Sequence, residues 1–184
     1  MIREMLHTPR RQQGAVLAAV LMIVLVVTIL GVTAINTASL EGKLARNFQE
    51  RTQAFQAAEK ALRSGEQFLA GLTMEPAPCS SAPCKVWKRN RLQSESVTDS
   101  GDAGRIWWQF QDASWWRSKG ATSVAAGGGL TAMYLIEERA FVQNNSQANV
   151  VGSGLNYYTV TAMGIRNGSG AQVVLQSHFM KRFN

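Results

Sequence analysis

The sequence predicts an α+β protein in which one long N-terminal helix packs its second half on a small antiparallel β-sheet. Residues 12–40 contain no charged side chain, and no proline occurs between Pro9 and Pro76. Beyond residue 69 the composition turns to Pro, Ser and Gly, and then to β-rich runs bounded by turn residues. The 184 residues suit one domain plus an apolar segment. With 19 Lys+Arg against 12 Asp+Glu the chain carries +7, and its 46% hydrophobic content averages two unlike parts.

Residues 1–14 (MIREMLHTPRRQQG) are polar and net basic, with Arg3, Arg10 and Arg11 against Glu4. Residues 15–34 are almost wholly apolar, and at about 1.5 Å per residue they span the ~30 Å hydrocarbon layer. Basic residues ahead of a span keep that end in the cytoplasm and place the bulk of the chain on the far side. A secretory signal peptide has an apolar core of only about 7–15 residues ending in a small-residue cleavage site. Here the apolar run is longer and continues into helical sequence. On hydropathy alone, a plain signal anchor remains the alternative.

Residues 40–69 are rich in Ala, Leu, Glu, Lys, Arg and Gln, all good helix formers. Leu40, Leu44 and Phe48 recur at four-residue steps, and Phe48, Phe55, Leu62 and Leu69 at seven. Ala58 and Gly65 fill the same stripe, while Glu41, Lys43, Glu50, Arg51, Lys60 and Arg63 lie mostly off it. The pattern predicts one helix over 15–69, on the order of 80 Å long. Gly31 and Gly42 are its weak points.

This architecture, with Gly14 closing a basic leader, resembles the type IV pilins and type II secretion pseudopilins. The stretch from Gly14 through TQAFQAAEKALR (residues 52–63) is similar specifically to PilX-type minor pilins. The resemblance implies cleavage by a prepilin peptidase between Gly14 and Ala15, with N-methylation of Ala15. It also implies a fold of the pilin kind, divided into leader 1–14, assembly helix 15–34, amphipathic helix 35–69 and periplasmic β-rich domain 70–184. Two positions depart from the family pattern. Ala15 stands where most pilins have Phe or Met, and Ala19 where most have a glutamate. An intramembrane carboxylate is costly unless paired, so Ala19 removes both that cost and a registering contact. A subunit of this kind suits a tip or an initiating complex.

Cys79 and Cys84 share the short loop 78–84, where a small disulfide is the expectation outside the cytoplasm. It would restrict the unfolded chain modestly, by about 2 kcal/mol. A metal site needs two further ligands, and neither His7 nor His178 has partner spacing. Residues 85–91 (KVWKRNR) read as a solvated basic loop rather than a nucleic-acid or headgroup site. Residues 105–117 hold four of the five tryptophans. They read as core between sheet and helix in preference to an exposed platform. Asp99 and Asp102 lack the spacing of a calcium loop and read as a turn.

Residues 120–129 read as a flexible loop, and 132–142, 157–166 and 172–181 as strands. Asn167-Gly168-Ser169-Gly170 joins the last two as a hairpin. No catalytic constellation or phosphate loop emerges, and His178 in its predicted strand reads as structural. No enzyme activity and no cofactor are therefore expected. The implied partners are other minor pilins, the major pilin, prepilin peptidase, the inner-membrane assembly platform and membrane lipid, without direct nucleic-acid contact. The implied location is a single inner-membrane span with a periplasmic domain, and later the extracellular pilus. The alternatives are a type II secretion pseudopilin and a membrane-tethered periplasmic sensor or enzyme.

Overall fold

A computed structural model describes residues 13–97, 104–143 and 154–183. Residues 1–12 of the expected leader and the candidate pair Asp99 and Asp102 lie outside the described residues. Helix α1 covers Gln13–Gly71, slightly more than the predicted 15–69. The chain divides into two units, Met1–Arg46 and Asn47–Asn184. In the first, every side chain described is exposed.

The second unit is built on a five-stranded sheet. After α1 come β1 (Val86–Trp87), α2 (Arg91–Ser96), a single 3-10 turn (Trp107–Gln109) and α3 (Ala113–Ser118). Strands β2 (Thr122–Ala125), β3 (Leu130–Gln143), β4 (Gly154–Arg166) and β5 (Gln172–Lys181) follow. β3, β4 and β5 form an antiparallel run, with a bulge between Glu138 and Ala140. β1 and β2 share the other edge of β3. β2 pairs antiparallel to it, and β1 pairs parallel. The sheet is thus mixed, not purely antiparallel, because the two-residue β1 enters from the disulfide loop in the same direction as β3.

Strand alternation sends neighbouring residues to opposite faces and builds two cores. Ala132, Tyr134, Ile136, Val160 and Ala162 pack with Ala57, Ala61 and Leu69 of α1. Met133, Leu135 and Met163 pack with Trp87, Leu92, Trp107 and Trp116. The tryptophans therefore do fill a core, but on the sheet face turned away from α1. Trp107 stacks obliquely on both Trp115 and Trp116, at ring-centre distances of 5.4 and 5.0 Å. α3 carries two of these rings. Asp112 caps it by accepting from the Trp115 N–H at 2.9 Å.

Three expectations need correction. Phe48 and Phe55 are exposed (74% and 42%); of the predicted stripe Ala58, Gly65 and Leu69 are buried, and Ala54, Ala57 and Ala61 join them. The cause is close approach. A Cβ on Gly65 would come within 2.6 Å of Val160, so only small residues fit beneath the helix at this level. The loop expected over 120–129 contains β2, whose mostly exposed side chains show no apolar alternation. It then turns back through Gly127, Gly128 and Gly129, all at positive φ. The basic loop over 85–91 contains β1, and Trp87 there is fully buried.

Candidate assembly interface

Two groups of residues singled out by the sequence lie in different units. Gly14 and Ala15 are at the start of α1, in the first unit. Cys79 and Cys84 are in the second.

In the first unit, residues 15–46 are exposed, and those from 15 to 40 are uncharged and mostly apolar. α1 is long and apolar enough to cross a membrane. Its threonine hydroxyls are satisfied within the helix. The Thr28, Thr33 and Thr37 hydroxyls donate to the carbonyls of Val24, Ile29 and Thr33 at 2.7, 2.8 and 3.0 Å. A hydroxyl bonded to its own preceding turn leaves little for lipid or a neighbouring helix to satisfy. Gly31 has no non-local atom within 4 Å of where a Cβ would stand, so the helix is narrow there and open to close packing. Ala19 lies on this exposed stretch.

In the second unit Cys79 and Cys84 are joined, with Cα atoms 6.1 Å apart. The loop they close is tied down on two sides. The Cys79 N–H donates to the Val86 carbonyl, and the Lys88 N–H to the Cys79 carbonyl, both at 3.0 Å. The Lys119 carbonyl accepts from the Cys84 N–H at 3.4 Å and from the Trp87 indole at 3.1 Å. Gly120, at φ +84°, lies where a Cβ would stand 2.6 Å from the Cys84 nitrogen. Lys119 also bonds Glu95 at 2.7 Å and sits over the Trp115 ring. This arrangement fastens the disulfide loop to the tryptophan layer and has the makings of a scaffold.

Ionisable groups in the second unit are structural in setting. Burial pushes the Glu137 carboxyl up, opposed by backbone N–H groups of Leu92, Arg91 and Asn90, and its Oε1 is buried without a hydrogen-bond partner. Burial, helped by Glu75 and Glu138, pushes the Tyr158 phenol up to about 12. The Trp115 N–H, followed by the Ser114 hydroxyl, holds the Asp112 carboxyl below its ordinary range. His178 Nδ1 lies 3.1 Å from the Thr159 hydroxyl. Among the described residues no three His, Cys, Asp or Glu side chains gather as a metal site would require.

Sequence reasoning missed how the end of α1 is held. The Lys181 ammonium donates to the carbonyls of Leu69, Ala70 and Leu72 at 2.9, 2.6 and 2.5 Å. These include carbonyls that a helix C-terminus leaves without partners, and a cation there also meets the negative end of the helix dipole. The signal was a lysine at the end of the last predicted strand, which is uninformative until the strand is placed beside the helix.

Comparison with known families agrees with both parts of this architecture. A family model described as PilX N-terminal matches residues 13–63, and one described as type IV pilus assembly protein PilX C-term matches residues 70–181. No curated protein and no solved structure matches the chain. The first match falls on the helix and the second on the disulfide loop, the tryptophan layer and the sheet. The chain belongs to the PilX family of type IV pilus minor pilins, structural components of the pilus that associate with other pilins.

Proposed function

We propose that this minor pilin acts in the initiating or tip complex of the pilus, and through it in pilus biogenesis, twitching motility and adhesion. Prepilin peptidase removes residues 1–14 by cutting after Gly14, and the new amine of Ala15 is methylated. Before assembly the apolar half of α1 holds the subunit in the inner membrane, with its N-terminus cytoplasmic and the domain periplasmic. There the Cys79–Cys84 pair is oxidised. On assembly, at the inner-membrane platform, the helix leaves lipid for a bundle with the major pilin and other minor pilins.

The observation that carries this reading is an exposed apolar helix, its threonine hydroxyls bonded within it, with Ala19 at the position most pilins give to a glutamate. A subunit without that carboxylate has no group to pair with a preceding subunit's amine. It therefore belongs where no preceding subunit has to be engaged. The decisive measurement is the intact mass and N-terminal peptide of the chain, expressed with and without a prepilin peptidase. Loss of residues 1–14 with a methylated Ala15 is expected, and Gly14→Arg should abolish it. An unprocessed Met1 end under both conditions would overturn the proposed processing. Even recovery along pilus shafts by immunogold labelling would overturn the tip assignment.

A further inference from the structure

The small-residue contact between α1 and the sheet leaves two large aromatics outside the core. Phe48 and Phe55 overhang the sheet and, with Val173 and Leu175 of β5, line an open groove of 390 Å³. All four belong to the second unit. The groove's other two residues are Arg51 and Thr52. The Thr52 hydroxyl is taken up by the Phe48 carbonyl at 2.9 Å, so among the described residues lining the groove the charge comes from Arg51.

β5 shows no sign of having been protected at this corner. It lies last in the sheet order, pairs with β4 without a register shift, and has no charged residue from 172 to 180. Edge strands are ordinarily blunted by charge, proline or a bulge. Val173 and Leu175 pair with Gly164 and Ala162, and Ala162 belongs to the core beneath α1, so these two side chains stand on the helix side of the sheet. An extended strand added to the edge would bond the β5 backbone and leave both phenylalanine rings bare. A rod lying alongside α1 would cover rings and aliphatic side chains together.

We infer that the groove between α1 and β5 seats the apolar N-terminal helix of another pilin subunit. The inference rests on the reading that these subunits assemble through their N-terminal helices. The occupant must be apolar where it meets the groove and slim enough to approach two rings closely. Residues 12–40 of this chain are uncharged and carry Ala15, Ala18, Ala19 and Gly31, so a helix of this class meets the requirement. The groove thus gives the globular domain its own contact with the filament core.

A photo-crosslinking residue placed at Phe48, Phe55 or Val173, with Arg139 as control position, tests this in cells making the full set of pilins. Products from Phe55 and Val173 should map to the apolar N-terminal segment of a pilin, roughly tenfold above the Arg139 background. Phe55→Ser should cut the yield from position 173 by a similar factor while leaving N-terminal processing unchanged. Filaments that contain the chain but give cross-links only to a globular domain or strand, or none at all, overturn the groove assignment alone. A chain that keeps Met1 and never enters filaments overturns the assembly reading and the groove together.

Discussion

Gly164 lies directly against the backbone of Ala54: a Cβ on residue 164 would stand 2.1 Å from the Ala54 carbonyl oxygen. The Ala58 amide nitrogen would be 2.5 Å away. At this point helix and sheet touch main chain to main chain. Gly164→Ala should therefore destabilise the domain by at least the ~1–3 kcal/mol typical of overpacking, seen in thermal unfolding of the detergent-solubilised chain. Ala54→Gly should fail to rescue it, because the obstructing atoms are backbone. Rescue would show that the contact is looser than described.

Lys181→Met keeps most of the side-chain stem but removes the ammonium from three carbonyls at the end of α1. A charge-assisted contact of this kind contributes about 1.5–3 kcal/mol. Unfolding at lower temperature is expected, with faster amide exchange in the last turn of the helix. Unchanged exchange there would mean that solvent caps the helix equally well.

Replacing Cys79 and Cys84 together by serine should cost about 2 kcal/mol, the modest figure appropriate to so short a loop. The loss should appear equally when the wild-type chain is treated with reductant, as a shift in denaturant midpoint. A reductant-insensitive midpoint would show that the hydrogen bonds to Val86 and Lys119 hold the loop by themselves.

Glu137 has a folded pKa raised above its unfolded value because burial disfavours the carboxylate. Its contribution is therefore fully present below the unfolded pKa and is lost as pH rises through the folded pKa. Glu137→Gln should flatten that part of the stability–pH profile and gain relative stability above it. Curves that stay parallel across this window would assign the pH dependence to other groups.

Much of the fold was legible because its main signals are local. The uncharged run and the absence of proline predicted α1 to within a turn at each end. β5 was placed at its observed bounds, and the turn residues 167–170 announced the final hairpin. Direction and layering were not legible. β1 is a strand only because Val86 and Trp87 find β3 beside them, and β2 only because Thr122–Ala125 lies along the same edge. The heptad of Phe48, Phe55, Leu62 and Leu69 pointed to a buried stripe. Leu69 is buried as expected, but alanines take the place of the two phenylalanines, because residues 65 and 164 permit an approach that phenylalanine would block. The tryptophans were recognised as core, but no spacing rule says which sheet face they cover. Of the candidate site residues, Gly14 and Ala15 are proposed from the resemblance of the leader. Lys181 acts across the chain and had no local signature.

The two anchor points on α1 also bear on mechanics. Ala54 sits against Gly164, and Leu69 is held by Lys181, roughly 22 Å farther along the helix at 1.5 Å per residue. A tensile load applied along this part of the helix meets both points at once, together with the alanine seam between them. Bonds loaded in shear share the force, whereas bonds loaded in peeling fail one by one. A retracting fibre that pulled on its subunits along this direction would meet the second unit's stiffest resistance.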